Sequence, residues 1–205
     1  LNIQVENIQE NSLKQQCFAC LYFTFLYIKC IFSYMDNIIF SKIDKTNIEG
    51  CFKLNQDNVP EVGSTSIEEF DNLVQNSDFS LCATFDEKIV GFLICFQDTS
   101  KTKSFMYKIK HKNFNEFKNR INNFMYIDRI AIDVNYRNNG LATILYEQLL
   151  ENCLELNIEN LTAEINLLPT ENKPSLKFHK KLQFIQIDTK KYNNEYEVSL
   201  QKRIL

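Results

Sequence analysis

The stretch that decides the fold is Ile130-Ala-Ile-Asp-Val-Asn-Tyr-Arg-Asn-Asn-Gly-Leu-Ala142. An apolar strand ends near Ile132, a polar turn follows, and Gly140 opens a helix whose apolar residues recur at helical spacing. Such a junction presents backbone N–H groups that no helix can pair, together with the positive end of the helix dipole. It therefore predicts a binding site for a phosphate or pyrophosphate. An ordinary strand-to-helix turn fits the same residues, and a Walker loop is excluded because Gly-x-x-x-x-Gly-Lys is absent.

Strands and helices alternate on both sides of this junction. Short apolar runs predict strands, and apolar residues spaced three and four apart predict helices. The predicted strands are 38–43, 79–85, 89–96, 124–132, 160–165, 184–188 and 196–200, and the predicted helices are 47–54, 66–74, 140–156 and 173–182. This alternation favours a mixed α/β sheet.

The composition is that of one packed domain, with or without an appendage. The chain has 205 residues, of which 44% are hydrophobic, and its 23 basic and 26 acidic side chains give a net charge of −3. That balance argues against a protein that binds nucleic acid through its overall charge. Seven cysteines, an odd number, indicate reduced and mostly buried thiols in a cytoplasmic protein. Cys17-x-x-Cys20 has no second pair and no nearby histidine, so we expect no metal site.

An apolar run of 12 residues, 17–28, precedes the first methionine, Met35. It is short for a membrane span, and it lacks the basic flank of a signal peptide. Three interpretations remain: upstream translation or an extension outside the fold, a membrane anchor, or an apolar helix packed on the domain. We therefore predict an N-terminal extension at 1–34 and a functional domain at 35–205.

Two motifs in this domain resemble those of the GNAT acetyltransferase superfamily. Arg137-Asn-Asn-Gly-Leu-Ala142 is similar to its R/Q-x-x-G-x-G/A signature. Asn172-Lys-Pro-Ser-Leu-Lys-Phe-His-Lys-Lys-Leu-Gln-Phe184 is similar to its second element, N-x-x-[AS]-x-x-F-[YH]-x-x-L-G-F. The resemblance covers residues 36–205, and further short stretches resemble a bacterial subgroup of predicted acetyltransferases. It implies the GNAT fold, a mostly antiparallel mixed sheet of about six or seven strands flanked by about four helices.

The resemblance implies an acyltransferase that moves the acetyl group of acetyl-CoA to a primary amine, by direct attack in a ternary complex and without a metal. The acceptor is a small molecule or a peptide, and a homodimer is possible. Backbone at Ile130 and Ile132 is expected to pair with the pantetheine arm. The other expected cofactor-binding residues are Arg137, Asn138, Asn139, Gly140, Leu141, Ala142 and Asn172.

The reaction needs a base, because deprotonating an alkylammonium at pH 7 costs roughly 4–5 kcal/mol. Asp128 and Glu164, on neighbouring strands, are the candidates, and structural carboxylates are the alternative for both. Because side chains alternate along a strand, Asp128 and Arg129 are expected to point to opposite faces and not to form a simple ion pair. His179 takes the position where the family usually has a tyrosine, and it is the candidate proton donor to the leaving thiolate. A surface or packing histidine is the alternative.

Residues 99–123 interrupt the pattern with six lysines and Arg120 against one acid, Glu116. We call this segment the basic insert. A solvated loop or short helix is one interpretation of it, and a lid over the acceptor that favours acidic or carboxylate-bearing amines is another. Two further functions stay open beside acetyl transfer. One is a catalytically silent acyl-CoA-binding or regulatory module, and the other is a binder of nucleic acid or membrane surfaces through the basic insert.

At Gln183 the family has glycine. If this position ends the helix in a left-handed conformation, glutamine costs about 1 kcal/mol relative to glycine.

Overall fold

Seven strands form one mixed sheet in the computed structural model, which describes residues 37–205. In chain order they are β1 (Ile39–Lys42), β2 (Phe79–Phe85), β3 (Lys88–Gln97), β4 (Phe124–Ile132), β5 (Asn160–Leu168), β6 (Ile185–Lys191) and β7 (Glu197–Ile204). Their order across the sheet is β1-β2-β3-β4-β5-β7-β6. Neighbours are antiparallel except for β4 and β5, which are parallel.

The parallel strands β4 and β5 pair with each other over less than half of their length. Phe124–Ile127 of β4 pair with Asn160–Ala163 of β5, and beyond these residues the two strands diverge. β4 keeps its antiparallel pairing with β3 as far as Ile132, and β5 keeps its pairing with β7 as far as Leu168. Within residues 37–205, no strand pairs with the β5-facing edge of β4 after Ile127. The sheet therefore opens into a wedge between β4 and β5.

Six α-helices lie in the described range: α1 (Ile48–Asp57), α2 (Ile67–Asn76), α3 (Ser100–Lys108), α4 (Lys112–Lys118), α5 (Leu141–Glu155) and α6 (Lys173–Lys181). A capping box of Ser66 and Glu69 fixes the start of α2. α6 begins where the Asn172 side chain accepts the Ser175 N–H, and Pro174 follows in its first turn.

The helices cover both faces of the sheet. α1, α2, α3 and α4 pack on one face around a core that includes Phe70, Phe92, Phe114 and Tyr126. α5 and α6 pack on the other face around Met125, Leu145, Tyr146 and Phe184. Residues Phe124–Ile127 of β4 alternate between the two cores, as the pleat of a strand requires.

The basic insert folds as α3 and α4, which adds two helices to the four that the sequence predicts. Its apolar side chains explain why it packs against the sheet, since Met106, Phe114 and Phe117 are fully buried. Five of its six lysines lie at the exposed surface, and the sixth, Lys103, pairs with Asp98.

The predictions for the apolar run 17–28, for Cys17 and Cys20 and for the domain boundary at 34/35 concern residues outside the described range. Ile39–Leu205 form one compact unit. Residues 37–205 contain no helix with the length and hydrophobicity needed to cross a bilayer.

Candidate active site

The wedge between β4 and β5 has an unpaired strand edge on one side and a buried carboxylate at its narrow end. Glu164 directly follows Ala163, the last residue of β5 that pairs with β4. Asp128 likewise follows Ile127, the last paired residue of β4. The structure thus brings the two predicted carboxylates to the point where the strands separate.

Asp128 is held in an ion-pair cluster. Its Oδ1 lies 2.7 Å from Nε2 of His111, and its Oδ2 accepts from Nε of Arg129 at 3.2 Å. The side chain is only 3% exposed, and the effect of His111 and Arg129 outweighs burial, so the pKa of Asp128 lies below its ordinary value. Both carboxylate oxygens are engaged, which favours the ionised form of Asp128.

The expectation that Asp128 and Arg129 do not form an ion pair with each other is wrong, because Arg129 Nε lies 3.2 Å from Asp128 Oδ2. Ile94 of β3 pairs with Arg129 and Cys95 pairs with Ile127, which leaves Asp128 as an extra residue in β4. Such a β-bulge interrupts the strict alternation of side chains, so neighbouring residues can reach the same partners. Arg129 also donates through Nη1 to Asn55 Oδ1 at 2.8 Å and to the Gly63 carbonyl, and it thereby ties the segment after α1 to β4.

Glu164 sits in a different electrostatic environment. Its Oε1 accepts from Nδ2 of Asn113 at 3.0 Å. Its Oε2 is buried and, among residues 37–205, has no well-formed hydrogen bond, although the Tyr126 hydroxyl is near enough to lower its pKa slightly. Burial and the neighbouring Asp128 charge raise the pKa of Glu164 above its ordinary value, against the lowering effect of His111. Glu164 is therefore the more basic of the two carboxylates.

His111 and Asn113 were missed by the sequence analysis. Both belong to the basic insert, at the start of α4, and each contacts one of the two carboxylates. The His111 ring also caps α4, because its Nδ1 accepts the Phe114 N–H at 3.2 Å. A neutral ring with its proton on Nε2 satisfies both contacts. The available signal was that His111 is one of only two histidines in the chain; Asn113 carries no signal at all.

His179 lies in the other core, among the aromatic rings of Tyr146, Phe178 and Phe184. Its Nε2 lies 2.7 Å from the Tyr146 hydroxyl and its Nδ1 lies 2.9 Å from the Ser175 carbonyl. It is 2% exposed, and burial lowers its pKa to about 4. The ring is thus neutral at pH 7 with both nitrogens engaged, which matches the packing alternative; the role of proton donor stays a prediction.

The predicted anion-binding loop follows β4. Asp133 caps a short 3-10 helix, Val134–Tyr136, by accepting the Asn135 N–H, and it also pairs with Lys88. Gly140 then adopts a left-handed conformation with φ of +86° and stands at the N-cap of α5 without a side-chain cap. No atom of the described residues lies within 4 Å of where a Cβ at Gly140 would be. A side chain at this position would therefore meet no other part of the described chain beyond its immediate neighbours.

The other predicted cofactor residues are distributed around the same end of the wedge. Arg137 donates to Asn58 Oδ1 and to the Ile132 carbonyl, which fixes the loop against α1. Asn138 is left-handed, with φ of 64°. Ile130 and Ile132 lie on the unpaired edge of β4, and Asn172 is occupied as the cap of α6. Asn139 follows Asn138 and is half-buried.

A cavity of about 210 Å³ lies beside Arg129 and His111. It is lined by side chains from the α1–α2 segment, α2, β4 and the basic insert: Ser64, Thr65, Glu69, Asn72, Leu73, Phe105, Ile109, His111 and Arg129. The described residues contain no cluster of histidine, cysteine or acidic side chains that could hold a metal ion.

The family described as the acetyltransferase (GNAT) family matches residues 48–184. The chain belongs to the GNAT acetyltransferase family. No curated protein matches the sequence.

Solved structures agree on the fold. Ard1 from Thermoplasma volcanium is 16% identical with a TM-score of 0.65, over 82% of this chain and 98% of that one. The ribosomal-protein-S18-alanine N-acetyltransferase from Escherichia coli is 13% identical with a TM-score of 0.58, over 82% and 93%. Naa50 from Arabidopsis thaliana, solved with the bisubstrate analogue CoA-Ac-MVNAL, is 16% identical with a TM-score of 0.60, over 82% and 98%. These likenesses confirm the GNAT fold of this chain.

Proposed function

We propose that this GNAT protein transfers the acetyl group of acetyl-CoA directly to a primary amine, and that Glu164 accepts the proton of the attacking ammonium. The observation that carries the proposal is the position of Glu164 at the narrow end of the wedge, with an Oε2 that has no well-formed hydrogen bond within residues 37–205. Its raised pKa strengthens it as a base at neutral pH. Asp128, with both oxygens engaged, is assigned the role of holding His111 and Arg129 in place.

The residues present fit acetyl-CoA, which supplies the activated thioester and a thiol leaving group. The unpaired edge of β4, including Ile130 and Ile132, offers backbone groups to an extended arm. The loop 137–142 offers the N–H groups that open α5 and the free space at Gly140, which suits a pyrophosphate.

The binding step is tested by calorimetric titration of acetyl-CoA into the full chain and into two variants, Gly140→Asn and Gly140→Asp. Asparagine and aspartate both tolerate the left-handed conformation and have nearly the same size, so the pair differs in charge alone. We expect Gly140→Asp to bind at least about tenfold more weakly than Gly140→Asn, since a carboxylate at this position repels a phosphate. Failure of the folded wild-type protein to bind acetyl-CoA would overturn the proposal.

The transfer step is tested by thiol release from acetyl-CoA with a panel of small-molecule and peptide amines. Release with an amine, lost in Glu164→Gln, is the expected outcome. Binding of acetyl-CoA without release for any amine would favour the silent acyl-CoA-binding module instead.

The acceptor is proposed to enter through the cavity beside Arg129. The basic insert supplies Phe105, Ile109 and His111 to its lining, which supports the interpretation of this segment as a lid. The guanidinium of Arg129 supports a preference for acceptors that carry a carboxylate; the insert's lysines do not line the cavity.

Deleting the insert would remove core side chains such as Phe114 and Phe117, so a point substitution is the sharper test of the lid. Phe105→Ala is expected to raise the KM of the acceptor and leave that of acetyl-CoA unchanged. Tyr107→Ala is the matched control, because Tyr107 lies on the same helix, is 78% exposed and does not line the cavity. Equal acceptor KM values in the two variants would contradict the lid.

A further inference from the structure

A chain of partly buried hydrogen bonds runs from the β6–β7 hairpin through the basic insert to Glu164. The Tyr192 hydroxyl donates to Asn113 Oδ1 at 2.8 Å. Asn113 Nδ2 in turn donates to Glu164 Oε1 at 3.0 Å and to the Tyr196 hydroxyl at 2.8 Å. Both donors of the amide and its acceptor are thereby used, and Asn113 is only 5% exposed.

The surroundings of Asn113 hold it in one orientation. The next residue, Phe114, packs against Tyr126 and Phe124 with ring centroids 5.7 and 5.5 Å apart. On the other side, the rings of Tyr192 and Tyr196 stack with centroids 5.1 Å apart and planes 17° apart. Two rigid packing contacts therefore frame the amide, so its donors have a fixed direction toward Glu164.

The chemistry of this contact differs from that at Asp128. At Asp128 the guanidinium of Arg129 lowers the proton affinity of the carboxylate, whereas the neutral amide of Asn113 orients Glu164 without cancelling its charge. The insert thus supplies a histidine to one carboxylate and an asparagine to the other, two residues apart at the start of α4. The amide occupies Oε1 of Glu164 and leaves Oε2 without a well-formed bond in the described part of the chain.

We propose that Asn113 is a positioning residue for catalysis: it fixes the Glu164 carboxylate so that Oε2 faces the proton to be removed. This inference rests on the proposed function, in which Glu164 is the base. It makes the basic insert part of the catalytic apparatus as well as a lid.

Two substitutions test the inference, with acetyl-CoA and the amine that wild-type protein acetylates fastest in the panel above. Asn113→Asp places a further carboxylate beside Glu164, in addition to that of Asp128. Because like charges raise proton affinity, the acidic limb of the kcat/KM–pH profile is expected to move up by about one pH unit or more. Asn113→Leu keeps the volume and removes the donors, and it is expected to lower kcat about tenfold with little change in the KM of acetyl-CoA.

Asn119→Asp is the matched control, since Asn119 ends the same helix at an exposed position. It makes the same chemical change away from Glu164 and should leave the pH profile unmoved. A carbon-13 titration of the Glu164 carboxyl, identified by its loss in Glu164→Gln, should show the same upward shift in Asn113→Asp without any acceptor.

The outcomes separate the two proposals. An active wild-type enzyme whose pH profile and kcat are unchanged by both Asn113 substitutions would overturn the role of Asn113 alone. An inactive wild-type protein would overturn the proposed function, and the inference with it.

Discussion

Oδ1 of Asp128 lies 2.7 Å from Nε2 of His111, so the basic insert touches the bulge of the central strand β4 directly. Both side chains are largely withdrawn from water, with exposed fractions of 3% and 18%. A contact of this kind links the folding of the insert to the geometry of the wedge. We therefore expect the stability of the protein to depend on this pair.

Replacing His111 by asparagine should destabilise the protein by about 1–3 kcal/mol, because Asp128 loses a buried partner. Asparagine is a good helix N-cap, so the start of α4 is retained and the loss reports the contact with Asp128. Urea unfolding of His111→Asn, Asp128→Asn and the double variant measures the coupling. Additive effects of the two substitutions would show that the pair contributes nothing.

The buried His179 should make stability depend on pH. Its pKa is lowered to about 4 in the folded protein and is about 6.5 in an unfolded chain. Between these values the unfolded state binds more protons, so the free energy of unfolding falls as the pH drops from about 6.5 toward 4. The contribution of His179 to this loss is on the order of 3 kcal/mol. Unfolding measured at several pH values should show a flatter dependence in His179→Phe than in wild-type protein.

The same variant tests the predicted proton donor. With both ring nitrogens engaged by Tyr146 and Ser175, we expect His179→Phe to keep a kcat within about tenfold of wild type if it folds. A loss of a hundredfold or more, in the range of general acid catalysis, would instead support a role for His179 as donor.

Gln183 stands in a left-handed conformation, with φ of 65°, as the sequence analysis anticipated for a helix stop. The N–H of Phe184 reaches the His179 carbonyl at 3.0 Å and that of Gln183 reaches the Lys180 carbonyl at 3.1 Å, the two bonds of a Schellman motif. Gln183→Gly should raise the free energy of unfolding by about 0.5–1 kcal/mol. Gln183→Ala, which keeps the strain, should not stabilise; equal stability of the two variants would argue against strain at this residue.

The two carboxylates should respond differently to neutralisation. Glu164→Gln is expected to lower kcat/KM for an alkylamine by about 10²–10⁴, because it removes the base and preserves the shape of the side chain. Asp128→Asn should act first on stability, because it leaves the partly buried Arg129 without its carboxylate. Steady-state kinetics and thermal melting of both variants measure the contrast. The reverse pattern, a stable and inactive Asp128→Asn beside an active Glu164→Gln, would exchange the assignments.

Most of the fold follows from local patterns. The strands 79–85 and 124–132 and the long helix after Gly140 all lie where periodicity places them. The motif around Arg137 and Gly140 is local in sequence, so it indicates the family without any information on the fold.

The site was predicted less completely, because its decisive contacts are long-range. Asp128 and Glu164 were candidates, yet the difference between them comes from His111 and Asn113, which lie 17 and 51 residues away along the chain. The bulge that brings Arg129 to Asp128 arises from the register between β3 and β4, which hydropathy cannot show. The sequence of the basic insert did not indicate its part in the site for a related reason. Most of its charged side chains are exposed to solvent, and nothing in the sequence distinguishes Asn113 from the other asparagines.

Because β4 and β5 diverge, the sheet consists of two parts, one of four strands and one of three. The two parts pair with each other only between Phe124–Ile127 and Asn160–Ala163. A ligand in the gap beyond these residues would form hydrogen bonds to the edge of one part and pack against the other, and it would thereby link the two parts of the sheet. The acetyl donor would then stabilise the fold while it is bound, in addition to taking part in the reaction. If acetyl-CoA binds there as proposed, the free energy of unfolding would rise with the concentration of acetyl-CoA.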